Sequence, residues 1–282
     1  MPLIGWVRDS ALFAVRRISR NTGVKTSFGP VKAVVVDLDG LLYDGNHMAR
    51  LNEVTSGNSK IVQSEARKFL SGKTTPNDAM YAILQNAIQS GLNEMHVTQA
   101  ALYFERKTNP AIVNALVRAQ NNGIKVIFAT RGFKLFGEKL ADVLAEKHGL
   151  IVDHVVGAEH ESEGKRITGV SKIIGLSGGN VRLNLGGKQK TIPVSTKWAE
   201  VKRLGFDLSK TVMLTNDLLD SGDLKQTKVG VMISQGRHSK DHSESIGAVM
   251  GLNDVFWHKH DPDLEERLVH LFENSSLKRR KK

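Results

Sequence analysis

The sequence predicts an α/β protein: a Rossmann-like parallel sheet carrying an inserted, mostly helical cap domain and a small β-hairpin insertion. Three observations carry this expectation. Short β-branched runs without polar interruption, at residues 33–36, 125–130, 211–215 and 228–233, have the pattern of strands buried on both faces. These runs alternate with amphipathic segments of helical length, and strand and helix taking turns means parallel strands joined by right-handed crossovers. Several of the runs also stop at acids, hydroxyls and glycine, at the strand ends where open parallel sheets bind ligands.

Composition bounds the possibilities. The 282 residues suffice for one large α/β domain, or for a core domain carrying an insert. With 40% hydrophobic and 24% charged residues, the chain reads as an ordinary soluble globular protein. There is no cysteine, which excludes disulfides, thiolate metal sites and a cysteine nucleophile. The net charge of +11 suggests nucleic acid until it is located. Arg8, Arg16, Arg17, Arg20 and Lys25 against Asp9 give residues 1–30 a charge of +4, and the tail Lys278–Lys282 adds +5. About +2 remains for residues 31–277, so the folded body is close to neutral.

Taken in order, residues 1–30 form a basic amphipathic segment. Trp6, Val7, Leu12, Phe13 and Val15 alternate with arginines, which fits a helix on an anionic membrane surface, a transit peptide, or a helix packed on the domain. No segment approaches the roughly 20 apolar residues of a membrane span. Lys32–Asp37 is the first strand. Residues 46–123 are helical in pattern, with one segment around Ile61–Leu70 and another from Asn77 to Ile88. A third opens at Asn109-Pro110, a cap followed by a first-turn proline, and stops at Asn122-Gly123. These 78 or so residues exceed a single crossover helix, and the excess is read as a cap beside the active face. The core then comprises residues 31–45 and 124–274, and residues 275–282 are a basic tail.

Lys125–Thr130 is the second strand, Phe133–His148 a helix, Val152–Val156 a strand and Thr196–Leu204 a helix. Val181–Leu185 and Lys188–Ile192 around Gly186-Gly187 read as the hairpin. Thr211–Thr215 and Lys228–Ile233 complete the inner strands. The last stretch, 255–274, holds an edge strand and a helix over Asp263–Glu273.

Four places carry polar chemistry. The first strand ends in Asp37-Leu-Asp39-Gly40, two carboxylates that start on one face of an extended segment and repel unless a cation or proton relieves them. The second ends in Thr130-Arg131-Gly132, where a hydroxyl and the N–H groups of a helix start can hold a phosphate. Lys197 opens a later helix and supplies a fixed positive charge, with Lys172 and Lys202 as alternatives. The strand at 211–215 ends in Thr215-Asn216-Asp217-Leu-Leu-Asp220. Acids, hydroxyl, lysine and turn glycines on one sheet edge are what phosphoryl transfer needs. His238, His242, His258 and His260 lack paired helical spacing and are read as solvated surface residues.

On these motifs the chain resembles the haloacid dehalogenase (HAD) superfamily, in its phosphoserine phosphatase-like branch. Asp37-Leu-Asp39-Gly40 and Phe128-Ala-Thr130-Arg-Gly-Phe133 match its first two motifs. The stretch from Val155 to Gly169 resembles the segment after the third strand. Asn216 to Asp220, then Val229-Gly-Val231, matches the fourth motif. The resemblance implies that Asp37 is a nucleophile forming an aspartyl-phosphate. It makes Asp39 the acid and then the base, Thr130 with Arg131 and Gly132 a phosphate binder, and Lys197 a stabiliser of charge. It implies Mg²⁺ held by Asp37, the main-chain carbonyl of Asp39 and the fourth motif, with Asn216 as a neutral donor and Asp217 or Asp220 supplying charge. Asp220 is the acid expected to hold the ion, because Asp217 reaches it only if the turn is re-formed at Thr215. Three positions depart from the pattern: Leu41 stands for threonine, and Thr215-Asn216 for Gly-Asp.

The expected function is a Mg²⁺-dependent phosphohydrolase acting on a small phosphorylated metabolite in the cytoplasm. Two alternatives stay open. One is a catalytically degenerate binding protein working through its basic ends. The other is a phosphatase of lipid head-group or nucleic-acid phosphates, recruited to an anionic membrane surface or nucleic acid by residues 1–30 and 278–282.

Overall fold

The computed structural model of the chain describes residues 29–185, 188–234 and 255–274. The expected basic N-terminal segment, the basic tail, and His238 and His242 lie outside these residues. The strands are β1 (Ala33–Asp37), β2 (Lys125–Phe133), β3 (His154–Glu163), β4 (Arg166–Lys172), β5 (Leu176–Leu185), β6 (Lys188–Ser195), β7 (Thr211–Thr215), β8 (Val229–Ser234) and β9 (Val255–His258). The helices are α1 (His47–Ser56), α2 (Ile61–Leu70), α3 (Pro76–Gln89), α4 (Glu94–Glu105), α5 (Pro110–Asn121), α6 (Lys134–His148), α7 (Lys197–Arg203), α8 (Ser221–Gln226) and α9 (Leu264–Asn274).

Seven strands form one sheet in the order β4-β3-β2-β1-β7-β8-β9, and β5 and β6 form the separate hairpin. All neighbours in the large sheet are parallel except β3 and β4, which pair antiparallel. The predicted Rossmann-like architecture is thus observed. β1 lies between β2 and β7, so the strand carrying Asp37 has a hydrogen-bonded neighbour on each side.

Alternation along β1 explains how the sheet is covered. Val34 and Val36 point into a large core shared with α1, α3, α4, α5, α6 and α9. Ala33 and Val35 point the other way, into a smaller core with Val201 of α7 and Leu224 of α8. A strand buried on both faces cannot alternate with polar residues, hence its unbroken apolar run. The helical insertion has no separate core. Leu51, Ile83, Val97 and Phe104 belong to the same apolar cluster as Val34 and Phe128.

Some elements differ from the sequence reading. α1 and α4 complete the helical region. α1 is started by the Asn46 side chain, which accepts from Ala49 N, and ended by Gly57 in the left-handed region. α5 lies against α9, with Asn114 Nδ2 donating to Glu265 and Arg118 to Glu273. β3 runs well past Val156 and turns back as β4. β2 does not stop at Thr130. It continues through Arg131, Gly132 and Phe133 after a shift in register against β3, so the helix expected at Phe133 starts at Lys134. His258 and His260 are exposed, as expected. No helix among the described residues is long and apolar enough to cross a membrane.

Candidate active site

Strand parity places the first carboxylate. Asp37 follows Ala33 and Val35 onto the face covered by α7, whose first residue is Lys197. Lys197 Nζ donates to Asp37 Oδ1 at 2.7 Å and to Asp220 Oδ2 at 2.8 Å, and the lysine side chain is 1% exposed. Lys172, one alternative, is turned to Glu200 and Glu159, and Lys202 is exposed. The start of α7 is fixed by Asp223, whose Oδ1 accepts from Trp198 N at 2.7 Å. Asp223 itself is buried, which together with nearby Asp220 pushes its carboxyl up to about 8.

One ammonium thus serves two buried carboxylates. Burial opposes ionisation of Asp220, but Lys197 and Arg131 outweigh it and hold Asp220 below the usual range. Thr215 adds to this, its Oγ1 donating to Asp220 Oδ2 at 2.8 Å. Asp37 is the member shifted upward. Burial pushes it up to about 7, with Asp220 and Asp217 adding to the rise and Lys197 opposing it. Burial also disfavours the charge on Lys197, and Asp220 and Asp37 more than restore it.

Asp39 does not stay with Asp37. β1 ends at Asp37, and the chain turns through Gly40, whose φ of 75° suits glycine. Strand alternation ends with Asp37, so the partners of Asp39 are set by the turn that begins at Leu38. Asp39 faces Tyr43, whose hydroxyl donates to Oδ1 at 2.7 Å, and the start of α1, where His47 N donates to Oδ1 at 2.7 Å. His47 Nδ1 lies 2.8 Å from Oδ2. Burial raises the Asp39 pKa, but His47 and Tyr43 overcome this and hold the carboxyl below its usual range. Tyr43 in turn is pushed well above its ordinary value by burial and by Asp39.

The His47 ring is clamped on both sides. It stacks on Phe136 with centroids 4.3 Å apart, and a Cβ at Gly132 would sit on its Nε2 edge. Gly132, expected to open a helix for phosphate binding, lies in β2 and leaves room for this ring. Thr130 is buried where predicted, and its Oγ1 accepts from Gly132 N at 3.0 Å. Leu41, in the place of threonine, is fully buried in the large core.

Of the fourth motif, Asn216 faces the site. Its carboxamide is turned to the Asp39 carbonyl oxygen at 3.1 Å and Asp37 Oδ2 at 3.2 Å. With nitrogen toward them it donates to both. With oxygen toward them, three hard oxygen donors converge. Asp217 is paired with Arg131, and Asp220 meets Lys197 and Thr215 through Oδ2 while its buried Oδ1 has no hydrogen-bond partner among the described residues. Among the described residues, no three Asp, Glu or His side chains form a metal-holding group by themselves. Sequence reasoning missed Tyr43, His47, Phe136 and Asp223. Their spacing carried no signal, because the turn after β1 and the folding of α8 against α7 bring them in.

No family model matches the chain, and no curated protein matches it by sequence. Solved structures match by shape. A HAD family hydrolase from Salmonella enterica subsp. enterica serovar Typhi has a TM-score of 0.55 at 13% identity, over 72% of this chain and 63% of that one. The chain therefore spans less than two thirds of that hydrolase. A probable phosphoserine phosphatase from Vibrio cholerae has a TM-score of 0.55 at 14% identity, over 90% of this chain and 71% of that one. A phosphoserine phosphohydrolase-like protein from Francisella tularensis subsp. tularensis matches at 11% identity and a TM-score of 0.55, over 80% of this chain and 94% of that one. The fold is that of the HAD hydrolases, in the form found in phosphoserine phosphatases.

Proposed function

We propose that the chain is a phosphohydrolase of small phosphomonoesters, working through an aspartyl-phosphate on Asp37. The observation that carries this reading is the buried contact between Lys197 Nζ and Asp37 Oδ1 at 2.7 Å, at the carboxyl end of the central strand. Lys197 orients the carboxylate and offsets charge. A lone pair of Asp37 attacks phosphorus, and the bond from phosphorus to the leaving oxygen breaks with its electrons on that oxygen, which takes a proton from solvent water. A water oxygen then bonds phosphorus as the bond to Asp37 breaks with its electrons on the carboxylate. The water's proton passes to Asp39, phosphate leaves, and Asp39 returns the proton to solvent. Tyr43 and His47 keep Asp39 ionised, the form that a base requires. Thr130 and Arg131 supply a hydroxyl and a guanidinium for the phosphate oxygens.

The residues fit Mg²⁺. With its amide oxygen turned inward, Asn216 would join Asp37 and the Asp39 carbonyl in a hard-oxygen donor set, whereas its nitrogen turned inward donates to both. Bound there, Mg²⁺ would supply the charge that lets a carboxylate and a phosphate approach one another. Hydrolysis of p-nitrophenyl phosphate with and without Mg²⁺, and its loss in Asp37→Asn, tests the proposal.

The Asn216 geometry also favours a second reading. Its amide nitrogen, donating to Asp37 Oδ2 and the Asp39 carbonyl, would satisfy both without a cation, as in a binding-only relative. Mg²⁺ titration by calorimetry separates the two: a heat of binding lost in Asp37→Asn supports the enzyme.

A further inference from the structure

Arg131 and Asp217 reach one another from opposite sides of the central strand. In register, Asp37 is level with Ala129 on β2, and Val36 with Leu214 on β7. Arg131 and Asp217 each stand two positions beyond the level of Asp37. Adjacent strands lie about 4.8 Å apart, so the two flanking strands are separated by about twice that, and a long side chain must close the gap. Arg131 does so, and its pair with Asp217 bridges the carboxyl end of β1. The two side chains are 19% and 30% exposed, so the bridge is open to a ligand. Burial disfavours the guanidinium charge, and Asp217, Asp220, Asp37 and Asp39 more than compensate, so this cation faces the whole acidic site.

A guanidinium carries its N–H donors in a planar fork that fits a carboxylate or a phosphate. Here the carboxylate belongs to the chain itself. Asp217 is held for the purpose: its Oδ1 accepts from Leu219 N at 2.9 Å, while Oδ2 meets Arg131. We propose that Asp217 is an internal stand-in for the substrate's phosphate, and that a terminal phosphate binds by taking Arg131 from it. This rests on reading the β1 edge as a phosphate site. A phosphomonoester brings close to two negative charges and three acceptor oxygens, more than a carboxylate offers. A diester brings a single charge, so the exchange selects monoesters. Displaced, Asp217 is exposed enough to return to water.

Calorimetric titration of the full chain with inorganic phosphate, at fixed Mg²⁺ and ionic strength, tests this. Asp217→Asn keeps the Oδ1 acceptor for Leu219 and removes the competing charge, so phosphate should bind at least about threefold tighter. Arg131→Gln should weaken binding about tenfold or more. In the Arg131→Gln background, Asp217→Asn should give no further gain. Asp217→Ser replaces Asp217→Asn if the latter does not fold. Affinity unaltered by Arg131→Gln, a loss in Asp217→Asn, or a gain that persists without Arg131 would each overturn the inference. Phosphate binding with this pattern in a chain without turnover would remove the hydrolase reading and leave the inference standing. Turnover with phosphate affinity indifferent to both variants would do the reverse.

Discussion

Asp37 and Asp39 leave the same strand end and arrive in opposite surroundings. Asp37 continues the strand's alternation and meets an ammonium it must share with Asp220, in a buried site where its carboxyl is pushed up to about 7. Asp39 stands in the turn that begins at Leu38 and meets three donors, from Tyr43 and His47, that hold it ionised against the cost of burial. Sequence spacing alone makes the two equivalent. Environment divides them into a carboxyl whose ionisation burial opposes and one that its donors keep charged, a division the proposed two-step hydrolysis would use.

The largest way to break this division is to remove the shared cation. Lys197→Met leaves Asp37 and Asp220 buried without their partner, and such loss costs about 3–5 kcal/mol. Urea unfolding should show it, and a variant as stable as the wild type would mean the carboxylates do not depend on Lys197. On the Asp39 side, Gly132→Ala drives a methyl group into the His47 ring and should cost about 1–3 kcal/mol. If it acts by displacing that ring, the Gly132→Ala, His47→Ala double variant will be more stable than the sum of the single losses predicts. Full additivity would show that Gly132 serves something else.

Tyr43→Phe is milder. It removes one charge-assisted hydrogen bond to Asp39, about 1.5–3 kcal/mol at most, and lets the Asp39 pKa rise. The acidic limb of kcat/KM should then move to higher pH, which a purely structural role for Tyr43 would not produce.

The pH dependence sharpens the comparison by sign. Asp37 is raised from the ordinary 3.8 to about 7, so its contribution to stability is present at low pH and lost as pH rises between those values. Asp39 is lowered, so its contribution is present above 3.8 and lost as pH falls through its folded value. Unfolding followed against pH in chelator should therefore show Asp37→Asn removing a loss between about pH 4 and 7, and Asp39→Asn removing one below that window. The same direction for both would abolish the distinction.

Much of this site was legible because strands and their ends leave local marks. The β-branched runs located β1, β2, β7 and β8, the acids at their ends marked one edge of the sheet, and a lysine opening a helix was found to be Lys197. What was not legible depends on where the chain goes after a turn. Alternation ceases at Leu38, so the face that spacing gives Asp39 does not reveal which groups it meets. Tyr43 and His47 sit in a turn and a first helical position, where polar residues are common and uninformative. Gly132 looked like a phosphate-binding turn because the reason for a glycine there, a ring from 85 residues earlier, is written elsewhere in the chain. Nothing in the sequence around Asp217 announces its pairing with Arg131, 86 residues earlier.

The central claim is that Asp37 accepts a phosphoryl group. Rapid acid quenching of the chain during turnover of p-nitrophenyl phosphate with Mg²⁺, followed by peptide mass mapping, tests it directly. The account predicts one phosphoryl adduct, on the peptide that contains Asp37, sensitive to hydroxylamine and absent from Asp37→Asn. Steady turnover with no adduct on Asp37, or an Asp37→Asn chain that turns over normally, would contradict it.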